Sequence, residues 1–176
     1  MVEVVLRAVR VDLGSATPIL LLEEVNGERV LPIFIGQPEA AAIGYALQKL
    51  ATPRPMTHDL LGEVISTLGG RVFAVEIQSL VGSTYYGAIR LLTPDGEVTV
   101  SARPSDAIAL ALRVGAPILV NDELMAAEGQ VLELSDFESD EDEDDADDEI
   151  VEALDEEDLV AELREFLDGF GREGQG

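Results

Sequence analysis

Ten acids crowd into the twelve residues "ESDEDEDDADDE" at 138–149. Like charges at that density repel, and nothing apolar is there to bury, so this stretch cannot enter a core. It sets the outer limit of the folding unit. We expect a domain at 1–134, a disordered acidic linker at 135–149, an amphipathic tail helix at 150–170 and a disordered terminus at 171–176. The charge divides the same way: residues 1–134 carry 9 basic and 16 acidic side chains, net −7, and residues 135–176 carry 2 and 20, net −18. In the tail, Leu159, Val160, Leu163, Phe166, Leu167 and Phe170 fall at helical spacing. That stripe needs a cover: the chain's own domain in cis, a second copy in a homo-oligomer, or a protein partner.

Before the acidic run, one pattern occurs twice. "VVLRAVRVD", "TPILLLEEV" and "ERVLPIFI" read as three strands, the last two flanking Asn26-Gly27. Asn-Gly tolerates positive φ at both central positions, which predicts a tight hairpin. "QPEAAAIGYALQKL" reads as a helix with Pro38 in its first turn, apolar on most sides and therefore buried. "THDLLGEVISTLGG" is a second helix, with Thr57 as N-cap and Gly69-Gly70 as its end. The pattern then restarts. "RVFAVEIQSL" alternates, with Phe73, Val75 and Ile77 on one face and Ala74, Glu76 and Gln78 on the other. "STYYGAIRLL" and "EVTVSA" flank the turn "TPDG". "RPSDAIALALRVG" is an alanine-rich helix, "PILV" a short strand and "NDELMAAEG" a short last helix. The expected fold is α+β: two duplicated β3α2-like halves forming a mixed sheet packed with helices. The repeat sets Glu39-Ala40 opposite Asp106-Ala107, and His58-Asp59 opposite Asn121-Asp122. A pseudo-twofold axis would turn the two acid-bearing helix starts toward a common groove.

Several chemistries are closed to this chain. It has no cysteine, which removes disulfides, thiolate metal sites and a cysteine nucleophile. Its start lacks the long apolar run of a signal peptide, and "AIALALRVGAPILV" is too short to span a bilayer and is broken by Arg113. We expect no membrane partner, a cytoplasmic location and no organic cofactor.

His58 is the one histidine, in "RPMTHDLL", beside Asp59 and after Arg54. As function, it is a general base or metal ligand, because its ordinary pKa lies near neutrality. As structure, it is a first-turn helix residue bonding locally. Asp59, Glu39 and Asp106 are each either catalytic groups or metal ligands, or else acids favoured by a helix N-terminus. Arg103 and Arg54 each precede a proline. A guanidinium at a helix start suits a phosphate, and the competing reading pairs Arg103 with Asp106 or Glu39 to tie the helix ends down. Ser105 has no evident activating base.

Three motifs in order, "LPIFIGQPEA", "RPMTHDLL" and "SARPSDAIALALR", resemble the bifunctional nuclease domain family over roughly residues 1–130. The acidic spacer followed by "LREFLD" is similar to the tails of its bacterial members. The resemblance implies the duplicated α+β fold and hydrolysis of phosphodiester bonds in DNA and RNA. It marks Glu39, His58, Asp59, Arg103 and Asp106 as motif positions without assigning their roles. With one histidine, a two-histidine ribonuclease-like mechanism cannot be built within one subunit. The route left is carboxylates holding Mg²⁺ or Mn²⁺, at Asp106, Glu39 and Asp59, since hard oxygen ligands suit these ions. Charge opposes a nucleic-acid partner, because affinity for polyanions comes largely from neutralised phosphates. A non-enzymatic regulatory or interaction module, with its tail helix as a tethered docking element, is the alternative.

Overall fold

The computed structural model describes residues 1–12 and 16–131. The expected linker, tail helix and terminus lie outside them. Strands β1 (Val2–Asp12), β2 (Thr17–Glu24) and β3 (Arg29–Phe34) form an antiparallel meander, followed by helices α1 (Gln37–Leu47) and α2 (Thr57–Thr67). Strands β4 (Arg71–Val81), β5 (Thr84–Thr93) and β6 (Gly96–Ala102) form a second meander. Helix α3 (Pro104–Val114), strand β7 (Ile118–Val120), helix α4 (Asp122–Glu128) and the short strand β8 (Gln130–Val131) complete it.

All eight strands make one mixed sheet in the order β6-β5-β4-β7-β1-β2-β3-β8. β7 lies in the middle, parallel to β4 and antiparallel to β1. β1 and β4 therefore run in opposite directions, and each meander spreads outward from β7. A rotation normal to the sheet maps β1-β2-β3 onto β4-β5-β6, as a duplicated β3α2 unit requires.

One continuous core joins the sheet to the helices. Val75, Ile77, Leu20, Leu22 and Leu31 of the strands are fully buried, with Ile108 and Leu110 of α3. α3 is the central helix: Pro104, Ser105 and every residue from Ala107 to Ala111 are buried. Its alanines keep it thin, so α1 and α2 both pack on it while it rests on β4 and β5. It ends at Gly115, whose φ of 68° is left-handed and suits glycine.

The structure corrects several local expectations. The Asn26-Gly27 hairpin forms, but as a four-residue loop with neither residue at positive φ. Its closure is ionic: Glu24 accepts bonds from the Arg29 backbone N–H at 3.3 Å and from Arg29 Nε at 3.0 Å. α2 begins one residue earlier than a Thr57 cap would give, with Met56 as N-cap and Asp59 accepting its N–H at 2.9 Å. Phe73 leaves the alternation of β4. A bulge lies between Val72 and Ala74, and Phe73 stacks under the Arg90 guanidinium, 5.4 Å from carbon to ring centroid. Val72 packs on the core instead. α1 is buried less than its composition suggests: Ile43 alone is fully buried and most of the rest are half-buried. α2 buries no residue completely, and Leu60, Val64 and Leu68 form an exposed stripe in which Leu68 is 76% exposed.

Truncating Leu110 to alanine should cost about 2–5 kcal/mol, the range for emptying a close-packed site. The same change at exposed Leu68 should stay within about 0.5 kcal/mol. Urea denaturation midpoints of the two variants check this, and equal losses would contradict the core assignment.

Candidate functional site

A proline sets up each half of the site. Pro104 forces Arg103 into extended backbone, φ −67° and ψ 144°, so α3 starts immediately after it. α1 likewise follows an extended residue, Gly36 at φ −83° and ψ 161°, and carries Pro38 in its first turn. Glu39 and Asp106 then both sit in first helical turns, where the helix dipole favours a carboxylate.

The two carboxylates meet on one cation. Arg103 Nη1 donates to Glu39 Oε1 at 2.7 Å. Its Nε donates to Asp106 Oδ2 at 2.8 Å, and Nη2 to Asp106 Oδ1 at 3.2 Å. His58 Nε2 lies 3.3 Å from the same Oδ1. The first turns of α1, α2 and α3 therefore converge on one guanidinium. The Arg103 side chain is 65% exposed, while His58 is 13% exposed. The cluster opens to solvent over the arginine and holds the imidazole behind it. Burial pushes the Asp106 carboxyl up, but bonds from Arg103 and His58 outweigh it and hold it below its ordinary value. Asp106 and then Glu39 push Arg103 up, so it stays charged.

Asp59 belongs to a second, separate cluster. Its Oδ1 accepts from Arg113 Nε at 2.6 Å, and its Oδ2 caps Met56 N. Arg113 also donates to Ala109 O at 2.8 Å and Ala42 O at 2.9 Å. One guanidinium, 9% exposed, thus joins α2, α3 and α1. Burial raises Asp59, and the Met56 N–H and Arg113 bring it below its usual value.

Of the predicted residues, Glu39, Arg103, Asp106 and His58 come together, Asp59 faces Arg113, and Arg54 is exposed, its carbonyl accepting from Thr52 Oγ1 and its guanidinium making no bond among the described residues. Arg103 pairs with both acids, so the expected tie between helix ends is present. Ser105 is buried in α3. Asn121 caps α4, accepting from Glu123 N at 2.8 Å, and Asp122 pairs with the N-terminal ammonium. Arg113 was visible in sequence only as a charge interrupting an apolar run. An arginine inside an alanine-rich helix is the signal that it has carbonyls and an acid to bind.

These features define a duplicated α+β domain whose helix starts assemble an aspartate–histidine–arginine cluster at the junction of its halves. Residues 20–133 match the family described as "Bifunctional nuclease domain", and the chain belongs to that family. An uncharacterized protein of Mycobacterium tuberculosis is 42% identical over 166 residues, 94% of this chain and 93% of that protein. "Bifunctional nuclease 1" of Oryza sativa subsp. japonica is 30% identical over 106 residues, 58% of this chain and 32% of the rice protein. "Bifunctional nuclease 2" of Arabidopsis thaliana is 26% identical over 114 residues, 63% of this chain and 34% of that protein. No helix among the described residues is long and apolar enough to cross a membrane.

Both low-lying carboxyls have a consequence for stability. Their contribution is complete above the ordinary carboxylate pKa, about 4, and is lost as pH falls through the lower folded values. Replacing both Asp59 and Asp106 by asparagine should therefore flatten the acid side of a stability–pH curve measured by urea denaturation. Arg113→Met strands an acid and two carbonyls, and should cost about 1–3 kcal/mol at pH 7. Wild-type stability in that variant would refute the clamp.

Proposed function

We propose that the chain is a nuclease that hydrolyses phosphodiester bonds of DNA or RNA. One observation carries this reading: His58 and Asp106, 48 positions apart, meet at 3.3 Å beside the exposed guanidinium of Arg103. Family membership and the plant relatives' names supply the substrate class. With Nε2–H directed at Asp106, His58 Nδ1 is the free base that takes a proton from water. Asp106 orients the ring and, held ionised by Arg103, stabilises the imidazolium that results. The open side of Arg103 faces the phosphate, where three helix starts add positive potential. Glu39 holds the guanidinium in place.

The same pairing limits affinity. Two acids neutralise Arg103, and residues 1–134 carry −7. We expect weak binding, short single-stranded substrates and steep salt dependence. Among the described residues, no three histidine, aspartate or glutamate side chains are grouped to hold a metal. The donors only partly fit Mg²⁺ or Mn²⁺: Glu39 and Asp106 face each other, but across Arg103, and Asp59 is bound to Arg113. An ion there would take the place of the guanidinium, and would supply charge stabilisation at phosphorus and a more acidic water.

The exposed stripe Leu60, Val64 and Leu68 favours a second reading, a non-enzymatic interaction module. It expects no turnover and a partner whose binding requires residues 150–170.

Labelled single-stranded RNA and DNA, incubated with highly purified protein in Mg²⁺, Mn²⁺ or EDTA, separate these readings. We expect cleavage that falls about 10²- to 10⁴-fold in His58→Ala and Asp106→Asn, with the fold intact by circular dichroism. Loss in EDTA would add the metal. Equal cleavage by wild type and both variants would refute the site and point to a contaminant.

A further inference from the structure

β6 is an edge strand of the sheet, and its outer side is open. Residues Gly96 to Ser101 are all exposed, and no strand among the described residues pairs with them beyond β5. Proteins usually shield such an edge with lysine, proline, a bulge or a very short strand. The opposite edge, β8, is only two residues long. β6 runs for seven residues with an unbroken register, contains no lysine or proline, and exposes Val98 and Val100 at 43% each.

Hydrogen-bond parity fixes which groups are free. Thr93 and Gly96 close the two-residue turn between β5 and β6, so they form a hydrogen-bonded pair. Alternation then commits Val98, Val100 and Ala102 to β5. The N–H and C=O groups of Glu97, Thr99 and Ser101 point outward.

We propose that this edge pairs antiparallel with β6 of a second copy, about a twofold axis at Thr99. In that register Thr99 faces Thr99 of the second copy and Glu97 faces Ser101, so all three outward residues find partners. Val98 faces Val100, which places four valines side by side on the core face of the joined sheet. Charge selects the same register. Glu97 is kept from its own counterpart, whereas an axis at Glu97 would oppose two acids. Just past the strand ends, Asp95 falls beside Arg103 of the second copy. Asp95 is exposed and makes no bond or ion pair among the described residues, and Arg103 is the exposed cation of the site. The last turn of α2 reaches this edge too, since a Cβ on Gly69 would lie 3.3 Å from Pro94 Cγ in the β5–β6 turn. Leu68, exposed next to Gly69, adds apolar area to a seam that strand pairing alone would leave below about 800 Å² per partner. The interface is isologous and closed, and it sets an acid of one copy beside the site of the other.

Sedimentation equilibrium of the full chain reads the mass directly. We expect twice 18.8 kDa for wild type and 18.8 kDa for Thr99→Pro, which removes an outward N–H without touching the β5 ladder. Asp95→Arg, outside the strand, should weaken the dimer more than tenfold. Because the chain lacks cysteine, Thr99→Cys should be joined to its copy by a short bismaleimide, whereas Gln78→Cys, exposed on β4, should not. A monomeric wild type, a Thr99→Pro dimer, or Thr99→Cys chains that fail to cross-link would each overturn the proposal.

Discussion

Two arginines at opposite ends of one helix hold the helical layer together. Arg103 stands at the start of α3 and binds Glu39 of α1 and Asp106, which in turn meets His58 of α2. Arg113, in its last turn, binds Asp59 of α2 and the Ala42 carbonyl of α1. α3 is otherwise alanine-rich and packs by contact alone, which is strong but does not fix rotation or register. The guanidinium groups do fix them, because a planar fork accepts only a few arrangements of carboxylate and carbonyl. The arrangement of three helix starts that brings His58 to Asp106 depends on these two ties. The ties differ in character. All three nitrogens of each guanidinium donate a bond, but Arg113 is enclosed whereas Arg103 is mostly open to water. A clamp and a site are thus built from the same residue type, and exposure separates them.

Much of the fold was legible because strand alternation, prolines at helix starts and terminal glycines report local physics. The order of elements followed from those signals. Three features did not. The bulge at Phe73 reflects cross-strand packing with Arg90, which no local pattern encodes. The loop at Asn26-Gly27 is shaped by the Glu24–Arg29 pair, so an ionic contact between flanking residues overrode turn preference. The exposed face of α2 could not be read from its leucines, because an apolar stripe looks the same whether a core or a partner covers it. For the site, a carboxylate at a helix start is ambiguous, and sequence could not say that Glu39 and Asp106 share a cation while Asp59 takes another. That separation depends on where α3 lies, which is a property of the whole sheet.

Duplication explains why the acids meet and why the site is nonetheless single. The rotation that relates the meanders turns Glu39 and Asp106 toward each other, and the Arg103 guanidinium between them offsets their repulsion. The position matching Arg103 in the first half is Gly36, and a Cβ at Gly36 would collide with the Glu39 carboxylate as it is held for Arg103. An arginine there would compete for the same volume and charge. The halves differ at this position, and Gly36 leaves room for the Glu39 carboxylate in the place from which it reaches Arg103. The same asymmetry extends to His58, whose counterpart Asn121 is spent capping α4. One half contributes the histidine, the other the arginine and the aspartate that the histidine meets. A symmetric sheet thereby carries one asymmetric cluster, which forms only when both halves are folded together.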